Sequence, residues 1–348
     1  MVSALPLALT PRGLISRFKP AFATAAGGLL PTLRAYSGLR IPDARTPQDA
    51  SLGRLGSLED DYRVLSAAAG GSLEPFDHTA LEQVEAVVTN GARGLSGVEM
   101  QAMPRLRFIQ VLGSGTDKLD IDAAAGRGIV LASGAGSNAA SVADHAIGLS
   151  LAALRDIPRF HAKASEGTWA PSQRPTLSGR TCGILGLGAI GEAIARRLAG
   201  FDVRIAYHNR RAVPASSYAY CSSPAELAAE ADVLFVCCPG GAATYHLVDA
   251  GVFKALGPAG FLVNVGRGSV VDSHALAAAL ATGVIAGAAI DVFEGEPMLP
   301  DVLRALPNLI VTPHVAGLTP DALDAAWARA RANLHALQHG GEFVGRLV

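Results

Sequence analysis

Four cysteines in 348 residues are too few for a disulfide framework, and none stands in a C-x-x-C pair. Cys237 and Cys238 sit inside the apolar run VLFVCCP, where a thiol behaves as a small hydrophobe. With Cys182 and Cys221 the usage fits a reducing, cytoplasmic compartment. Nine histidines are scattered without H-E-x-x-H or Cys/His spacing, so no metal site is expected. A surplus of one charge is also missing. Lys plus Arg number 29 against 30 Asp plus Glu, which removes any electrostatic case for a nucleic-acid or membrane-surface partner. The longest uncharged stretch, between His274 and Asp291, is broken by Gly283 and Gly287 and falls short of the ~20 apolar residues of a membrane span.

The rest of the composition is that of a globular chain: 50% hydrophobic, 17% charged, 5% aromatic, with 39 glycines. Its length corresponds to roughly two domains of ~100–200 residues. Residues 1–42 carry Arg12, Arg17, Lys19, Arg34 and Arg40, while the first acidic residue is Asp43. A basic, acid-free start of this kind reads either as an organelle presequence, with Arg34-Ala-Tyr-Ser37 resembling a matrix-protease site, or as an Ala/Arg-rich start of the first domain. The first alternative places the protein in mitochondria.

From residue 62 apolar runs alternate with helical stretches. YRVLSA, EAVVTNG and RFIQVLGSG read as strands, and VEMQAMPRL as a helix. One long helix is expected over 141–162, followed by a Pro/Ser/Gly-rich linker from Pro171 to Gly179. Beyond it TCGILGLG, DVRIAYHN, ADVLFVCCP, GFLVNVGRG, AGAAIDVFE and NLIVTPH read as buried parallel strands. AIGEAIARRLAG, SPAELAAEA and HALAAALATG supply helices between them, so the class is a doubly wound α/β fold.

Gly186-Leu-Gly188-Ala189-Ile190-Gly191 closes the first of these strands and opens a helix. In a dinucleotide fingerprint the three glycines serve the tight turn, the approach of backbone to pyrophosphate and helix–strand packing. The helix N-terminus offers free N–H groups to the phosphates. The second strand normally ends in a carboxylate for the ribose of NAD, but here it ends in His208-Asn209-Arg210-Arg211. Two guanidinium groups in that place favour NADP(H) over NAD(H), since they can grip a 2′-phosphate.

Three further residues follow strand-like runs: Arg267 in NVGRGS, Glu296 in DVFEGEP and His314 in TPHVAG. Open α/β sheets place ligand chemistry at such strand ends. The absence of any Tyr-x-x-x-Lys disfavours a short-chain dehydrogenase.

The ordered segments GLGAIG, VNVGRGSVVD, DVFEGEP and TPHVAG resemble those of the D-isomer-specific 2-hydroxyacid dehydrogenases, from about residue 80 to about residue 335. The resemblance implies a Rossmann-type doubly wound sheet inserted in a flavodoxin-like substrate domain. The substrate domain takes 38–148 and 318–348, the dinucleotide domain 149–317, and residues 1–37 form an extension or presequence. It implies that Arg267 grips the substrate carboxylate, that His314 is the acid/base, and that Glu296 pairs with it. It further implies a substrate loop of Gly113, Ser114 and Gly115, cofactor contacts at Pro239 and Asp291 besides the glycine loop and Asn209, and a homodimer built on 141–162. Trp169 either lines a partner's site or packs on the surface. Asp144 departs from the family's usual Glu in S-V-A-E-H. The implied reaction is NADPH-dependent reduction of a small 2-keto acid, as in glyoxylate/hydroxypyruvate reductases. Alternatives are D-lactate or phosphoglycerate dehydrogenation, and a nucleotide-sensing role like that of corepressors sharing this fold.

Overall fold

The computed structural model describes residues 32–36, 63–67, 78–91, 93–214 and 216–348. They build two parallel sheets. The first contains β1 (Thr32–Tyr36), β2 (Arg63–Ala67), β3 (Val84–Thr89), β4 (Phe108–Val111) and β5 (Val130–Ser133) in the order β2-β1-β3-β4-β5. That is the flavodoxin-like order, and every described pairing in it is parallel. β4 is buried along its whole length, as a strand covered on both faces must be, and its sequence FIQV is apolar apart from Gln110.

The second sheet contains β6 (Thr181–Leu185), β7 (Arg204–His208), β8 (Ala219–Tyr220), β9 (Val233–Val236), β10 (Phe261–Asn264), β11 (Gly287–Ile290) and β12 (Leu309–Val311). Its order, β12-β11-β10-β9-β6-β7-β8, reverses between β6 and β9. A crevice opens at the carboxyl ends of strands where such an order reverses, and the glycine loop leaves β6 at that point.

The strand β1 corrects the expected domain start. TLRAY lies between β2 and β3 and pairs with both, so a leader ending at Tyr36 would remove a central strand of the first sheet. The domain boundary therefore precedes Thr32, and the rest of the basic segment, residues 1–31, lies outside the described residues.

The expected helix over 141–162 is two helices, Ala139–Arg155 and Ile157–Ser165. They break at Asp156, which takes the left-handed conformation at φ 54°. Pro158 has no N–H to give to Leu154 O and its ring would clash with that carbonyl in a continuous helix, so it sits in the first turn of a new helix rather than continuing the old one. Asp156 is held there by Arg159 and Arg174.

The first of the two helices also moves a boundary. Val142, Ala146, Leu149 and Leu154 pack into one core with Ile184, Phe235 and Val263 of the second sheet and Ile194 of the helix after the glycine loop. Residues 139–148 thus belong with the dinucleotide domain. Asp144 reaches Arg197 on the glycine-loop helix (Ala189–Leu198), Oδ1 to Nε 2.5 Å. The C-terminal helix Pro320–His339 returns to the first sheet, burying Ala326, Trp327, Ala330 and Leu334 against Val88, Phe108 and Leu112. Among the described residues no helix is long and apolar enough to cross a membrane.

Candidate active site

The glycine loop has the features a dinucleotide needs. Gly186 sits at φ 103°, and a Cβ on it would lie 2.7 Å from the Cys238 nitrogen. A Cβ on Gly191 would lie 2.3 Å from the Gly186 carbonyl oxygen, so this glycine lets the helix close on the turn. At Gly188 a Cβ would meet nothing within 4 Å, and the space beside it is free for a ligand. Glu192 N–H is the first amide to donate back into the helix, to Gly188 at 2.8 Å. The amides of Ala189, Ile190 and Gly191 therefore face the crevice at the positive end of the helix dipole. The donor set fits a pyrophosphate.

Asn209 braces this loop from the end of β7. Its Oδ1 accepts Leu187 N–H at 2.7 Å and its Nδ2 donates to Leu187 O at 3.3 Å. Arg210 and Arg211 are exposed and make no ion pair or hydrogen bond among the described residues. Across the crevice Pro239 is exposed, and its carbonyl accepts the Thr244 hydroxyl at 2.7 Å. Burial pushes the neighbouring Cys237 and Cys238 thiols up, Cys238 to about 11, so neither is a thiolate at neutral pH.

Arg267, Glu296 and His314 follow β10, β11 and β12, three adjacent strands of the second sheet. Glu296 Oε2 lies 2.7 Å from His314 Nδ1, while its Oε1 accepts Phe293 N–H at 3.1 Å. The hydrogen bond that His314 Nδ1–H donates to Glu296 raises the His314 pKa above the ordinary imidazole value. Burial and the charge of Arg267 pull it down, and the charges of Glu296 and Asp291 push it up. Burial pushes the Glu296 carboxyl up, but the His314 bond and charge, the Phe293 amide and Arg267 together bring it below the usual carboxylate range. The pairing favours the charged form of the imidazole and occupies its Nδ1.

His314 itself sits at φ 54°, a conformation that costs a β-carbon residue roughly 1–3 kcal/mol and persists only where neighbours impose it. Asp291 imposes it. Its backbone oxygen accepts His314 N–H at 2.8 Å, and its carboxylate accepts Thr312 Oγ1 (2.6 Å), Val315 N–H and Ala316 N–H (both 2.9 Å). At 1% exposure Asp291 is the strut of the histidine loop, a task that its strand-end position did not reveal. His145, on the helix that crosses between domains, reaches the same strut with Nε2 at 3.0 Å from Thr312 Oγ1. Since the Thr312 hydroxyl donates to Asp291, His145 must donate through Nε2.

The substrate loop leaves β4. A Cβ at Gly134 would lie 2.2 Å from Leu112 O, and one at Gly91 would lie 2.6 Å from Gly115 O, so glycines on two neighbouring loops pack it from outside. The amides of Gly113, Ser114 and Gly115 donate to no acceptor among the described residues. Arg267 reaches this loop from the other domain: its Nη2 occupies the place where a Cβ of Gly115 would be, 2.3 Å away. Its Nε donates to Asp117 Oδ2 at 3.0 Å. Asp117 and His145 had no assigned role in the sequence. Asp117 stands two residues after Gly115, but nothing local says that its partner is 150 residues away. Trp169 is 91% exposed, so it does not pack on the surface of its own chain.

The family model described as "D-isomer specific 2-hydroxyacid dehydrogenase, NAD binding domain" matches residues 147–316. A glyoxylate/hydroxypyruvate reductase of Arabidopsis thaliana is 35% identical over 285 residues, spanning 80% of this chain and 88% of that protein. A hydroxyphenylpyruvate reductase of Plectranthus scutellarioides is 38% identical over 241 residues, 68% of this chain and 77% of the relative. Among solved structures, an NADPH-dependent glyoxylate/hydroxypyruvate reductase of Sinorhizobium meliloti, in complex with NADP and malonate, superposes with a TM-score of 0.80 at 35% identity. The match covers 91% of this chain and 97% of that one. With relatives of this identity and coverage, this chain belongs to the D-isomer-specific 2-hydroxyacid dehydrogenases, NAD(P)-dependent oxidoreductases that interconvert 2-keto and 2-hydroxy acids.

Proposed function

We propose that the protein reduces a small 2-keto acid of the glyoxylate/hydroxypyruvate type to a D-2-hydroxy acid, preferring NADPH and using His314 as proton donor. The observation that carries this reading is the 2.7 Å bond between His314 Nδ1 and Glu296, which favours the charged form of a half-exposed imidazole and occupies Nδ1, so that Nε2 is the nitrogen available to a substrate. Arg267 and the free amides of Gly113, Ser114 and Gly115 form an anion-binding concavity for the substrate carboxylate. The carbonyl oxygen then meets His314 Nε2–H, which donates its proton as that oxygen gains charge; the ring recovers a proton from solvent. Nicotinamide, when bound, supplies the hydride to the carbonyl carbon. The glycine loop would hold the pyrophosphate, with Asn209 fixing the loop.

Preference for NADPH is supported by the exposed, unpartnered Arg210 and Arg211 at the end of a strand that carries no carboxylate. Dimerisation is supported by the arm that follows the crossover helix. No residue between Leu154 and Leu177 is buried, yet Ile157 is 52% exposed and Trp169 91%. Apolar side chains displayed on such an arm fit a second copy of the chain.

Absorbance of NADPH and of NADH is followed with glyoxylate, hydroxypyruvate, pyruvate and bulkier keto acids. Fastest turnover with the two small acids and NADPH is expected. Preference for a branched keto acid overturns the substrate class, and preference for NADH overturns the cofactor assignment.

A further inference from the structure

Arg267 commits two edges of its guanidinium before any substrate arrives. Nη1–H donates to Gly266 O at 2.7 Å, and Nε–H donates to Asp117 Oδ2 at 3.0 Å on the substrate domain. Glycines clear the ground for this contact. A Cβ at Gly240 would lie 3.1 Å from Arg267 Cγ and 3.3 Å from Asp117 Oδ1, and Gly115 yields to Nη2 as described. A guanidinium meets a carboxylate either along its Nε/Nη2 edge or across its Nη1/Nη2 end. With Nε given to Asp117 and an Nη1 hydrogen to Gly266 O, Nη2 is the uncommitted nitrogen, and it lies against the loop whose amides are free.

We propose that Asp117 is a positioning residue for the reduction: it holds the Nε edge of Arg267 so that the Nη2 corner meets the keto-acid carboxylate beside Gly113–Gly115. The inference rests on the function proposed above and deepens it. Because the pair joins the two domains, the arginine is aimed only while the substrate loop is docked on the loop after β10. Catalytic geometry is thereby tied to interdomain contact without a separate switch.

The pair also carries an electrostatic consequence. The groups acting on His314 are Glu296 and Asp291, which favour its charged form, and Arg267, which opposes it. Asp117 partly neutralises Arg267. Removing its charge leaves Arg267 a stronger opponent of the imidazolium, so the alkaline limb of the reduction profile moves to lower pH.

The test uses full-length enzyme, hydroxypyruvate as varied substrate and saturating NADPH, across neutral to alkaline pH. Asp117→Ala should lower kcat/KM about ten- to hundredfold, most of it in kcat, with the KM for NADPH unchanged. Asp117→Asn keeps an acceptor for Nε–H and should recover most of that loss at neutral pH, while its alkaline limb moves down. If the alanine variant does not fold, the asparagine profile carries the test alone. An unchanged kcat/KM in Asp117→Ala overturns the proposal. So does a lowered KM with unchanged kcat, which would make Asp117 an internal competitor, and so does an unmoved limb in Asp117→Asn. Wild-type enzyme inactive on every keto acid overturns the proposed function itself; an active wild type with insensitive variants overturns only the role of Asp117.

Discussion

Replacing Glu296 by Gln removes one charge and keeps the shape of the side chain. In the wild-type protein Oε2 accepts from His314 Nδ1 at 2.7 Å, a charge-assisted bond of the kind that contributes about 1.5–3 kcal/mol. His314 is 49% exposed, so solvent screening puts the value at the low end, about 1.5 kcal/mol, or roughly tenfold in the proton-transfer step. The larger effect is on pH dependence. With His314 as the proposed proton donor, reduction requires the imidazolium, so its rate should fall as pH rises through the raised His314 pKa. In Glu296→Gln the main group that raises this pKa is gone; burial and Arg267 still lower it, and Asp291 is left to oppose them. The alkaline limb of kcat/KM for reduction must therefore move to lower pH. In the oxidative direction, which needs the neutral ring, the acid limb must move the same way. Steady-state profiles in both directions check this. If the limbs of the variant coincide with those of the wild type, His314 is not the titrating acid.

The same pair makes a prediction about stability. A raised His314 pKa contributes stability below the ordinary imidazole range that is lost as pH rises through the raised value. A depressed Glu296 pKa contributes stability above the usual carboxyl range that is lost as pH falls through the depressed value. The melting difference between wild type and Glu296→Gln should accordingly peak between the two titrations, and a difference that keeps growing on either side would contradict the pairing. Gly188→Ala should melt like the wild type, because its Cβ meets nothing within 4 Å, yet bind NADPH more weakly by fluorescence titration. Gly191→Ala should lose stability as well, since its Cβ falls 2.3 Å from a backbone oxygen. Arg210→Ala with Arg211→Ala should reduce the ratio of kcat/KM for NADPH over NADH by about tenfold or more, the scale of one charge-assisted contact; an unchanged ratio places selectivity elsewhere. Ile157→Asp with Trp169→Ser should sediment as a monomer if the arm joins two copies.

How much of this was legible in the sequence depends on how far apart the cooperating residues lie. The glycine loop could be read because all three glycines, their strand and their helix are contiguous. The residues of the triad could be read because each closes an apolar run, and strand ends in a parallel sheet share one edge. β1 escaped because TLRAY is five residues with an arginine at its centre, inside a segment whose basic composition suggests something else. The break at Asp156 escaped because a proline in the first turn of a new helix looks, in sequence, like one inside an old helix. What escaped most completely are the residues that aim the chemistry. Asp291 was visible as a strand-end carboxylate, but its task depends on four donors that only the folded loop and its hydroxyl bring to it. Asp117 comes from the substrate domain and His145 from the crossover helix, 150 and 167 residues from the partners they hold. A proton donor can be recognised by type and place. The left-handed backbone of that residue arises only when the loop folds around Asp291, and the carboxylate that turns the arginine meets it only when both domains are assembled. For that reason the most informative substitutions here are at Asp291, Asp117 and His145 rather than at the triad. Loss of His314 shows that a proton is needed, whereas a changed kcat with unchanged cofactor binding at these positions shows what directs it.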